Sequence, residues 1–364
     1  MKKLIFALLF ALLLCVPAMA EGVLDEQYEA YGSTEVEGAL PDAARDIMGD
    51  AGVRDTLDVE SFMSRIWGNL KDKFSSILTE SVGSAVAIVA VALLCGVISQ
   101  LAMEEAPKYV TFGGVIAVAV IAVAGSGSFI RLATDTLDML TSFSHTLLPC
   151  LCTSAAAGGA VGSAAAKYAA TALFMDIFIT ATRSIVVPLI YTYLAASVAS
   201  AAMDSPALGS AAALLKWLCN TSMTIIMTAF TVYLAVTGVI SGSADVLASK
   251  AAKTAISTVL PVVGGIISDA AGTVVAGAGL VCGAIGVFGL GAVLCICLVP
   301  FLRLGMRYLL FKAAAMLAGS FADSRMSSLV GSVSSAFGML TGMVGSGAIM
   351  LFFAIVSMIK AVGG

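Results

Sequence analysis

VLPVVGGIISDA, residues Val259 to Ala270, decides how this chain is read. It joins a proline, a Gly-Gly pair and an aspartate, any of which would break or burden an ordinary transmembrane helix. The sequence on either side is apolar. Over 364 residues the chain is 60% hydrophobic and only 12% charged, with mean hydropathy +1.03. A soluble domain carries roughly 25% charged residues. The fold class that follows is all-α: a polytopic membrane helix bundle with broken or re-entrant helices.

Working outward, strong spans are expected at Ser81–Leu101, Tyr109–Phe129, Trp217–Ile240, Thr273–Leu298 and Ser335–Ile359. Each is as long as the ~20 residues that a bilayer crossing requires. The region from Leu147 to Met203 is ambiguous, so about six to seven spans are expected. Upstream, Lys2 and Lys3 precede the apolar run Leu4–Val16 and the ending Ala18-Met19-Ala20. That pattern describes a cleavable signal peptide over 1–20, the alternative being an uncleaved first anchor. Residues 21–80 then form an acidic extracytoplasmic segment, with twelve acidic residues against Arg45 and Arg54 between 21 and 60. Such a segment reads as well solvated and partly disordered at its start. Phe62, Ile66, Leu70 and Phe74 recur at every fourth position, an amphipathic helix leading into the transmembrane domain 81–364.

Self-comparison gives the opening stretch a context. Pro149 and Pro188 are 39 residues apart, as are Pro261 and Pro300. A shift of 112 residues superposes Leu147–Pro149 on Val259–Pro261 and Val187–Leu189 on Val299–Phe301. An internal repeat with units 109–206 and 221–318, followed by a C-terminal span 335–359, is expected. Transporters and channels are often built from repeats with broken helices at their interface. Val259–Ala270, with Pro261, Gly264, Gly265 and Asp269, and its counterpart from Leu147 are then either such breaks or loops at the membrane surface, with Pro149, Pro188 and Pro300 as further candidate break positions. Topology has two solutions. If Ser184–Met203 is re-entrant or interfacial, Arg183, Lys216, Arg303, Arg307, Lys312 and Arg325 fall in the cytoplasm, as the positive-inside rule favours. If it spans fully, the later charges fall outside and the repeats are inverted.

Polar residues within apolar sequence are the candidates for function. Asp176 and Arg183 lie on one helical face, separated by two turns or about 10.5 Å, and intramembrane charges are functional candidates by default. Arg131, Asp135, Asp138, Ser142 and His145 form one helical stripe, expected at the membrane surface or along a polar cavity. Lys250, Lys253 and Ser257 form its counterpart. Small residues, among them Gly286 and Gly289, let helices approach closely in a bundle or an oligomer. His145, the only histidine, has no adjacent nucleophile, and no HExxH or phosphate-loop pattern occurs. The pairs Cys150/Cys152 and Cys295/Cys297 sit in apolar surroundings without histidine, which suits helix packing better than zinc. No enzyme, cofactor, metal or nucleic-acid partner is expected.

The run LPVVGGIISDA, then CGAIGVFGLGAVLCICLVPFLRL and YLLFKAAAMLAGSFAD, resembles stage III sporulation protein AE of endospore-forming bacteria. The likeness is most specific from Leu260 to Asp323. The resemblance implies a place among sporulation membrane proteins encoded together and needed in the mother cell during engulfment. They build a channel-like or feeding-tube complex and meet, indirectly, a forespore membrane partner. It implies a multi-pass location in the mother-cell membrane surrounding the forespore and carries no catalytic residues over. A homo-oligomer stays open. The competing expectation is an autonomous secondary transporter using the repeat-related breaks and Asp176/Arg183.

Overall fold

Apolar sequence without water to satisfy its backbone must close its hydrogen bonds locally, and the described chain is helical throughout. The computed structural model describes residues 26–49, 51–57, 59–101, 106–123, 125–259 and 264–362. Among them the helices are α1 (Ser33–Gly38), α2 (Asp42–Met48), α3 (Val59–Leu101), α4 (Ala106–Val123) and α5 (Ser126–Ala157). A 3-10 turn, Val53–Leu57, lies between α2 and α3. Then come α6 (Val161–Ala181), a π turn (Thr182–Val186), α7 (Val187–Met203), α8 (Pro206–Val259), α9 (Gly264–Phe321) and α10 (Ser324–Val362). The expected signal peptide over 1–20 lies outside the described residues.

Among the described residues, six segments are long and apolar enough to cross a membrane: Ile77–Ser99, Tyr109–Ala157, Val161–Met203, Pro206–Val236, Val274–Phe321 and Ser324–Val362. The ambiguous region resolves into one span, because α6, the π turn and α7 run on without interruption. Ser184–Met203 is thus the second half of one segment, Val161–Met203, long and apolar enough for a single crossing, and adds no span of its own that would move the later charges to the other side. Neighbours in space fix the directions. A Cβ on Gly96, near the end of α3, would overlap the Phe321 carbonyl oxygen at the end of α9. Arg325, at the start of α10, reaches Asp204 between α7 and α8. These short connections therefore share one end of the bundle. At the opposite end Gly158 lies against Val362, and Thr56 Oγ1 donates to the Ala284 carbonyl at 3.1 Å. α4 and α5 together make one crossing: Gly114 sits by Met326, near the short-connection end, and Gly158 follows α5 at the other.

The helices are longer than a bilayer needs. α9 has 58 residues, which at 1.5 Å per residue is about 87 Å, against a hydrocarbon core of about 30 Å. The excess at the opposite end is covered by the acidic segment, whose short helices pack on α9, α5 and α3. Its charges face outward while Val36, Ala44, Ile47, Met48 and Val53 are buried. The Val53 amide donates to Glu37 at 2.6 Å and the Arg54 guanidinium lies 5.5 Å from the Tyr28 ring centre. Between 26 and 57 the segment is thus a folded cap. The expectation of a solvated, partly disordered start differs because a few apolar residues among many acids suffice to dock it. Phe62, Ile66, Leu70 and Phe74 fall on α3, which continues unbroken into the first span; their side chains lie outside the described residues.

Candidate functional site

The prolines singled out from sequence behave differently from one another. Pro149 and Pro300 lie inside α5 and α9, neither of which is interrupted there. A proline removes one amide donor and crowds the carbonyl four residues back, here those of His145 and Ile296, and a long packed helix absorbs that loss. Pro188 begins α7 directly after the π turn. A π turn widens the helix, which gives the proline ring room without ending the span. α8 ends at Val259 and α9 begins at Gly264, so Gly264 and Gly265 open a helix. Pro261 lies outside the described residues, as do the side chains of Asp269, Lys250, Lys253 and Ser257. The repeat over 109–206 and 221–318 thus remains a proposal.

Gly286 and Gly289 pack the chain against itself. A Cβ on Gly286 would overlap Ile359 of α10, and one on Gly289 would stand 2.7 Å from Leu147 Cδ2 of α5. Around them Val281, Cys282, Ile285, Phe288 and Leu147 are fully buried.

Asp176 and Arg183 are not brought together. Arg183 pairs with Asp138 of α5, while Asp176 is exposed and makes no ion pair with a described residue. The stripe on α5 is as its spacing predicts: Arg131, Asp135, Ser142 and His145 are exposed, and Leu137, Leu140, Phe143 and Leu147 are buried beneath them. Arg131 and Asp135 also border a shallow cavity of about 480 Å³ with Gly127, Ser128 and Leu132.

Sequence reading passed over the most developed polar feature. At the short-connection end, α7, α8, α9 and α10 enclose a cleft of about 620 Å³ lined by Tyr193, Ser197, Asp204, Lys216, Lys312 and Arg325, with further serines. Lys216 Nζ donates to Ser335 Oγ at 3.0 Å, and the Tyr193 hydroxyl donates to the Ser332 carbonyl at 3.0 Å. Arg325 reaches Asp204 at 3.7 Å and Asp323 at 3.5 Å. Asp323 caps α10 by accepting from the Arg325 amide at 2.9 Å, a favoured use of a carboxylate at a helix start. Lys312 has no carboxylate partner among the described residues. A smaller cavity of about 350 Å³ continues past Lys216 and Lys312 to Asn220 and Thr341. The legible signal was Ser324, Ser328, Ser332 and Ser335, whose spacings of four, four and three put hydroxyls on one face of α10. Among the described residues, no group of three or more His, Cys, Asp or Glu could hold a metal ion.

A family profile described as stage III sporulation protein AE matches residues 53–362. Among curated proteins, the chain is similar to the stage III sporulation protein AE of Bacillus subtilis (strain 168), at 26% identity over 186 residues. That alignment covers 51% of this chain and 47% of the relative, so the chain spans about half the length of the curated relative it matches. No solved structure matches.

Proposed function

The chain belongs to the stage III sporulation protein AE family, and on that premise we propose that it is a non-enzymatic integral membrane component of a complex joining mother cell and forespore. The observation that carries this reading is the extent of the family match, residues 53–362, which takes in all six span-length segments. The mother-cell membrane around the forespore is its location, with the acidic cap in the space between the two membranes. Lys216, Lys312 and Arg325 support that orientation, since they gather at the short-connection end and cytoplasmic connections carry an excess of cations. Its partners are other sporulation membrane proteins, which reach the forespore side indirectly. The chain contributes by assembly, as a rigid helical body that other subunits surround.

The test is affinity purification of the full chain from sporulating cells, with identification of co-purifying proteins. Recovery of further sporulation membrane proteins, only after engulfment begins, is the expected result. The competing reading, an autonomous secondary transporter, draws on the polar cleft between α7, α8, α9 and α10. It would gain if the chain were recovered alone and moved a solute across reconstituted vesicles.

A further inference from the structure

Three features of the short-connection cleft converge on one kind of ligand. The first is charge. Lys216, Lys312 and Arg325 line it against Asp204, and Lys312 is exposed with no carboxylate partner among the described residues. The second is the donor set, in which two ammonium groups, a guanidinium and several hydroxyls surround one space. Charge-assisted donors of this kind suit the oxygens of a phosphate. The third is an unpaired group. Ser197 is 5% exposed, lines the cleft, and its Oγ has no hydrogen-bond partner. A buried hydroxyl left unpaired is unfavourable, and a ligand that supplies an acceptor would relieve it.

We propose that this cleft binds an anionic phosphate group carried on a larger molecule, held by Lys216, Lys312 and Arg325 and accepting from Ser197. The volume of about 620 Å³ exceeds a lone phosphate and falls within the range of small-molecule sites, about 300–1,000 Å³. The phosphate belongs either to a lipid headgroup or to a phosphorylated solute. The proposal does not depend on the sporulation reading, because its test measures binding alone.

The full chain is purified in a neutral detergent, and its melting midpoint is followed against inorganic phosphate, with sodium chloride at matched ionic strength as control. In parallel, native mass spectrometry measures retention of phosphatidylglycerol against phosphatidylcholine. Lys312→Gln, an exposed position whose change leaves packing intact, and Ser197→Ala are compared with the parent chain. A phosphate-specific rise that needs about tenfold more phosphate in either variant identifies a free phosphate site. Phosphatidylglycerol retained by the parent and lost from Lys312→Gln, without a response to phosphate, identifies a headgroup site. Absence of both responses, or equal responses in the parent and both variants, overturns the proposal.

Discussion

The two ends of α9 are built on opposite principles. Toward its N-terminal half, Gly286 and Gly289 admit Ile359 and Leu147 so closely that no side chain fits between them, and the contacts at both glycines are apolar. Toward its C-terminal half, Lys312 opens onto a cleft of serines and cations. Within lipid there is little hydrophobic drive to bring helices together, so association relies on close packing through small residues or on interhelical hydrogen bonds. One helix uses the first device at one end and the second at the other. The dry half holds the bundle together, and the polar half is free to do something else.

That contrast predicts a ranking of substitutions, read as melting midpoints of the purified chain in phosphate-free detergent. The largest effect is expected from Gly289→Leu, since Leu147 has nowhere to go beneath the acidic cap. Overpacking of this kind costs about 1–3 kcal/mol, and a midpoint equal to the parent's would show that the dry half is not tightly packed. Lys216→Met should cost less, about 0.5–1.5 kcal/mol, because it removes the bond to Ser335 while leaving a side chain of similar length. Ser197→Ala should be neutral within about 0.5 kcal/mol or slightly stabilising, because the hydroxyl it removes has no partner. A clear loss of stability there would mean that Ser197 is already satisfied. Asp204→Asn should do least, with no measurable shift, since its pair with Arg325 is 3.7 Å long and its carboxylate is exposed; a pair of that kind lies at the bottom of the range of about 0–1 kcal/mol.

Sequence was a good guide wherever the bilayer imposes its own rule. Runs such as Thr273–Leu298 announce a crossing, and six span-length segments are found among the described residues. The stripe from Arg131 to His145 could be read because α5 exposes one face and buries the other. Prolines misled at Pro149 and Pro300, where a broken helix was expected. A missing backbone bond is a local cost, and the packing of Leu147, Leu148, Cys150 and Leu151 on both sides of Pro149 outweighs it. Asp176 and Arg183 looked like partners on one helix, but the partner of Arg183 is Asp138 from another helix, which periodicity does not show. Of the polar cleft only the serine face of α10 was legible, for the same reason. Lys216, Lys312 and Arg325 come from three helices, and only the bundle brings them together.

The most direct measurement is made in the sporulating cell. A strain lacking this chain is scored for vegetative growth, engulfment and late forespore transcription, and then complemented with the parent chain or with Lys312→Gln. The assembly reading predicts normal growth, completed engulfment and a block in late forespore transcription that the parent chain relieves. A vegetative uptake defect with normal spore formation would contradict it and favour a transporter acting alone.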